Sequence, residues 1–124
     1  MAKQEAKPFD ITERTFLFAV DIVRLCLTLD DIPGIRRTLS HQLGRSGTSI
    51  GANVEEAQAA QSRADFVSKC TIALKEARET RYWLRLVTAT KLIPEVLTAA
   101  AVLECTELTR ILGAIVSRSG RRFP

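Results

Sequence analysis

The sequence predicts an all-α protein, an antiparallel up-down four-helix bundle, and three observations carry that expectation. Gly and Pro are scarce and grouped, 6 and 4 in 124 residues, and aromatic residues make up only 6%, a composition that favours helices over sheets. Between the breaks, apolar residues recur at steps of three and four. The breaks themselves are short, which forces consecutive helices to run antiparallel. The length suits a single domain, and a hydrophobic fraction of 46% supplies enough apolar surface for one core.

The first helix is expected over about 10–29, with Asp10 as its N-cap and Asp30-Asp31-Ile32-Pro33-Gly34 as its stop. It carries two apolar stripes. Phe16, Val20, Val23 and Leu27 form one, and Phe18, Ile22, Leu25 and Leu29 the other, so the helix needs cover on more than one side. A second helix, over about 34–61, puts Leu39, Leu43, Ile50 and Val54 near one face. Its centre, GRSGTSIGAN, places Gly44, Gly47 and Gly51 inside a helical pattern, at about 1 kcal/mol each relative to Ala. Two explanations fit: a neighbouring helix approaches closely over small side chains, or the helix kinks or meets a partner's backbone.

Ser62 followed by Asp65 resembles a capping box and opens a third helix, over about 63–92, whose Phe66, Cys70, Ala73, Ala77, Thr80, Leu84 and Val87 make a regular bundle seam. The fourth helix, over about 94–118, starts at Pro94 and uses Leu97, Ala101, Leu108, Ile111 and Ile115. Short flexible tails are expected at both ends.

On the third helix, Ile72, Glu76, Glu79, Trp83 and Leu86 form a further stripe in which two carboxylates sit between large apolar groups. Half-buried carboxylates need partners, and Arg45 and Asn53 of the second helix are the best candidates. A catalytic carboxylate pair is the sharper reading. Little else supports it: the single histidine, His41, has no Glu-x-x-His around it, which argues against a di-iron bundle, and no phosphate-binding glycine loop or nucleophile triad is found. No cofactor, metal or small-molecule substrate is implied. Cys26, Cys70 and Cys105 are far apart and lack CxxC spacing, so they read as buried apolar residues. Neither a signal-like N-terminus nor an apolar run of about 18 residues is present, so a cytoplasmic protein away from membranes is expected.

Charge is divided unevenly, with −1 over residues 1–60 and +5 over residues 61–124. Arg78, Arg81 and Arg85 recur on one face with Lys75 nearby, and Arg118, Arg121 and Arg122 form a basic tail. Such a stripe can neutralise phosphates. Equally, Glu76, Glu79 and neighbouring acids can pair with these arginines on a solvated face. With few aromatic residues for stacking, sequence-specific reading of a single strand is not expected.

The segment from Leu39 to Ile93 resembles the four-helix bundle family named for proteins encoded in 23S ribosomal RNA intervening sequences. Gln42, Arg45, Ser49, Ile50, Asn53 and Glu56 match its Q-x-x-R-x-x-x-SI-x-x-N-x-x-E signature, and Phe66, Ala73, Glu76, Glu79 and Leu84 match its third-helix pattern. Ala57 departs from it, since many members have Gly there. The resemblance implies a ring-shaped homopentamer, related to accessory proteins that bind a reverse transcriptase and RNA in diversity-generating retroelements. The gene context of founding members adds an association with ribosomal RNA or the ribosome. The leading expectation is thus a non-enzymatic oligomeric scaffold that binds RNA, or a nucleic-acid enzyme, through its basic surface. The alternative is a protein-protein adaptor whose basic patch meets an acidic partner. In both, Gln42, Arg45, Asn53, Glu56, Glu76 and Glu79 are architectural.

Overall fold

The architecture follows from where each helix can start and stop. The computed structural model describes residues 10–120, as α1 (Ile11–Leu29), α2 (Ile35–Gln58), α3 (Arg63–Ala89) and α4 (Glu95–Gly120). No strand occurs among the described residues, and the expected tails, with Arg121 and Arg122, lie outside them. Asp10 caps α1 by accepting from the Glu13 amide at 3.2 Å. Ser62 caps α3 by accepting from the Asp65 amide at 3.0 Å, while the Asp65 carboxylate accepts from the Gln61 amide at 3.4 Å, a capping box displaced by one residue. At the start of α2, Gly34 has φ 106°, a conformation that glycine adopts without Cβ strain.

Two helices end earlier than expected. α2 stops at Gln58 rather than residue 61, because the Ala59 and Ala60 amides turn back to the Glu56 and Ala57 carbonyls. α3 stops at Ala89 rather than residue 92. There Lys91 takes φ 57°, and the Lys91 and Leu92 amides bond to the Thr88 and Val87 carbonyls at 3.1 and 3.4 Å, a Schellman closure with lysine where glycine is usual. α4 begins at Glu95, after Pro94, and continues to Gly120 rather than residue 118.

Each helix packs on its neighbours in chain order, and α4 returns to α1 along the sparsest of the four seams. Ile22, Leu29, Leu43, Ile50, Leu84, Leu108 and Leu112 are fully buried at the common core. Only one stripe of α1 goes inward. Phe18, Ile22, Leu25 and Leu29 are buried, but Phe16, Val23 and Leu27 are 58%, 46% and 71% exposed, since the helical repeat places them opposite the core. On α4, Leu97 is likewise exposed, and Thr98 turns inward instead, its hydroxyl 2.9 Å from that of Thr88.

The α1–α2 seam explains the glycines of α2. A Cβ on Gly47 would lie 2.7 Å from Ile22 Cγ2, and one on Gly51 3.2 Å from the Thr15 carbonyl oxygen. The glycines let two backbones approach, as the first of the two explanations requires. Polar ties lock the bundle elsewhere. Arg14 donates to Glu104 across the α1–α4 seam at 2.7 Å. Arg36 donates to the Leu29 and Thr28 carbonyls at 2.9 and 3.1 Å and also to the Leu92 carbonyl. One guanidinium thereby serves the end of α1 and the α3–α4 turn. Cys70 and Cys105 are buried, Cys26 is half-buried, and all three are free thiols. Burial pushes the Cys105 thiol up to about 12, so it stays protonated near neutral pH.

Candidate functional site

α3 presents two differently charged sides, and their separation follows from helical spacing. Glu76, Glu79 and Trp83 fall on the side facing α2, where Arg45 meets them. Arg45 donates to Glu76 at 3.4 Å and, through its other terminal nitrogen, to Glu79. The Trp83 indole N–H donates to the same Glu79 oxygen at 3.0 Å. The indole bond, followed by the Arg45 bond, holds the Glu79 carboxyl below the usual carboxylate range. Glu79 in turn raises the Arg45 guanidinium above its ordinary value. The side chains of Glu76 and Glu79 are 20% and 37% exposed, so water screens part of this network.

Asn53 is not a member of it. Its amide donates to the Ser49 carbonyl and hydroxyl at 2.9 and 3.1 Å, within α2, because its short side chain reaches the preceding turn before it reaches α3. Glu56 is exposed, Gln42 is half-buried, and His41 is exposed. The polar contact that the sequence did not suggest is Ser46 with Thr80, both fully buried, whose hydroxyls meet at 2.9 Å, each one residue on from a member of the Arg45–Glu79 pair.

The other side of α3 is basic. Lys75, Arg78, Arg81 and Arg85 are all exposed, and among the described residues no carboxylate lies within salt-bridge distance of any of them. The expected pairing with Glu76 and Glu79 does not form, because those carboxylates are turned to Arg45. Arg81 instead donates through Nε to the Thr106 hydroxyl of α4 at 3.2 Å. Arg78, Arg81, Thr106, Thr109 and Arg110 line a notch of about 470 Å³ between α3 and α4. Arg110 also borders the hollow lined by Phe66, Ile115 and Arg118 at the far end of the same groove. It therefore links the α3 arginines to Arg118, although Glu107 holds one of its terminal nitrogens at 2.9 Å.

Two members of this surface were missed in the sequence. Arg110 stands two helical turns before Arg118, a spacing that puts both on one face of α4. Tyr82 is 55% exposed amid Arg78, Arg81 and Arg85, with its ring edge-on to Trp83 at a centroid distance of 5.1 Å. Its position three to four residues from Arg78 and Arg85 was the available signal. Among the described residues there is no cluster of His, Cys, Asp and Glu that would hold a metal ion, and no helix is long and apolar enough to cross a membrane.

The family model described as "23S rRNA-intervening sequence protein" matches residues 7–114. The chain belongs to that family. Among solved structures, a chain from Bacteroides thetaiotaomicron, described as a protein with unknown function from the S23 ribosomal protein family, is 42% identical. The match covers 86% of this chain and 97% of that one, with a TM-score of 0.78. No curated protein matches this intervening-sequence family member.

Proposed function

We propose that the protein is a non-enzymatic homo-oligomeric scaffold, a pentameric ring by family resemblance, that binds RNA through the basic side of α3 and the adjoining end of α4. The observation that carries the reading is the sorting of charge on α3: Glu76 and Glu79 are engaged by Arg45, while Lys75, Arg78, Arg81 and Arg85 are exposed and have no carboxylate partner among the described residues. Exposed arginines of this kind exchange condensed counterions for contacts with phosphate, which favours a polyanion. Arg118 extends the surface; Arg121 and Arg122 follow it in the sequence, outside the described residues. The relative's description as a member of a ribosomal protein family is consistent with an RNA or ribosomal partner, and the family resemblance alone adds a reverse transcriptase as a candidate. The oligomer is supported by the outward stripe of Phe16, Val23 and Leu27 on α1, with Val20 half-buried among them, a row of apolar side chains larger than scattered surface residues require.

Binding of a structured RNA and a matched duplex DNA across a salt series, with light scattering on the same sample, tests both parts. Tight RNA binding whose logarithm falls linearly with log salt is expected, with a shallower slope in the Arg78→Gln, Arg81→Gln, Arg85→Gln triple variant. Weak binding even at low salt would overturn it and leave the basic side for an acidic protein partner. A monomer by light scattering would remove the oligomer, and Phe16→Asp with Leu27→Asp is expected to produce one.

A further inference from the structure

We infer that the α3–α4 notch and Tyr82 together take one nucleotide step of a single-stranded RNA, with a phosphate held by Arg78, Arg81 and Arg110 and an adjacent base stacked on the Tyr82 ring. The inference rests on the reading of this surface as an RNA site and goes beyond it by choosing between strand states. Arg81 is prepared for a phosphate before any ligand arrives. Its Nε is committed to the Thr106 hydroxyl at 3.2 Å, which orients the guanidinium and leaves its two terminal nitrogens for a forked contact. The Thr106 and Thr109 hydroxyls donate to the Val102 and Cys105 carbonyls at 2.9 and 2.8 Å. They therefore cannot donate to the anion, and their part is to shape the wall and position Arg81. Arg78 and Arg110 complete the notch from the two helices, and Glu107 reduces but does not cancel its positive charge, holding one nitrogen of Arg110.

Tyr82 supplies what a duplex cannot use. A duplex meets a protein surface chiefly with its phosphates, its base faces being stacked inside, whereas a single strand offers base faces to aromatic side chains. Tyr82 is 55% exposed, follows Arg81 in the chain, and lies one helical turn from Arg78, so the ring and the notch are within a residue's reach of each other. Trp83 braces the ring edge-on, which lowers the entropy lost when a base settles on it. A ring in this position stacks on any base, in keeping with a site that lacks groups for reading base edges.

The test uses the whole protein with a 12-nucleotide oligouridylate, the same strand annealed to oligoadenylate, and inorganic phosphate as a competitor. The single strand is expected to bind more tightly than the duplex. Tyr82→Ala should weaken single-strand binding roughly tenfold with no change in salt slope, and Tyr82→Phe should restore it. The Arg78→Gln, Arg81→Gln, Arg110→Gln triple variant should lower the single-strand salt slope by roughly 0.7, the value for one phosphate, and Arg110→Gln alone by less. Competition by millimolar inorganic phosphate alone, with Tyr82→Ala silent, would reassign the notch to a free anion and overturn the inference. Equal affinity for both strand states with a silent Tyr82→Ala would overturn it too, while leaving the RNA reading intact. No binding of any nucleic acid at low salt would remove both.

Discussion

The two seams made by α2 are built on opposite principles. Toward α1 it offers Gly47 and Gly51, and the contact is steric: a methyl group at Gly47 would meet Ile22 at 2.7 Å. Toward α3 it offers Arg45 and Ser46, and the contact is polar, with two carboxylates and a buried threonine as partners. Both sets come from the ten residues GRSGTSIGAN. A single stretch therefore fixes two neighbours by different physics, and the two seams should fail differently under mutation.

The largest effect is expected on the steric side. Gly47→Ala should destabilise the protein by about 2 kcal/mol, because Ile22 is fully buried and cannot yield. Urea denaturation measures it, and an unchanged midpoint would mean that the seam is looser than its distances imply. On the polar side, Ser46→Ala should cost about 1 kcal/mol. Thr80 keeps its bond to the Glu76 carbonyl at 2.7 Å, so the loss is confined to one contact and should show in the same assay.

A smaller effect is expected for Arg45→Gln, with a pH dependence that no glycine variant shares. Glu79 is held below the usual carboxylate range, first by Trp83 and then by Arg45. Its contribution is present in full above the unfolded carboxylate value and is lost as pH falls through the folded one. The gap in midpoint between Arg45→Gln and the parent should therefore narrow between pH 7 and pH 3. A gap that stays constant would assign the role of Arg45 to packing. The smallest effect has the opposite sign. At Gly44 a Cβ would lie an ordinary 3.4 Å from Cys26 Sγ, so Gly44→Ala should stabilise by about 0.5 kcal/mol through helix propensity. A loss at Gly44 as large as that at Gly47 would erase the distinction between tight and merely close positions.

Much of this was legible in the sequence, for identifiable reasons. The four helices, their order, the caps at Asp10 and Ser62 and the seam of α3 all rest on local patterns that tertiary contacts reinforce. The pairing of Arg45 with Glu76 and Glu79 was legible because half-buried carboxylates demand a cation. Periodicity could not decide which stripe of α1 faces inward, since both satisfy it, nor that Thr98 displaces Leu97 from the interior of α4. Asn53 was misassigned because a short amide can satisfy itself within its own helix. The notch at Arg78, Arg81 and Arg110 joins residues of two helices, a juxtaposition fixed by the relative register of α3 and α4.

Arg36 has a bearing on how the molecule opens. By donating to Leu29, Thr28 and Leu92, it ties the α1–α2 turn to the α3–α4 turn at one end of the bundle, over contacts far apart in sequence. Amides around both turns should thus exchange with deuterium as one cooperative unit, and fraying should begin at the opposite end, where α1 starts and α4 finishes. Because that tie needs both hairpins in place, it should form late on the folding route, with Arg36 variants speeding unfolding more than they slow folding.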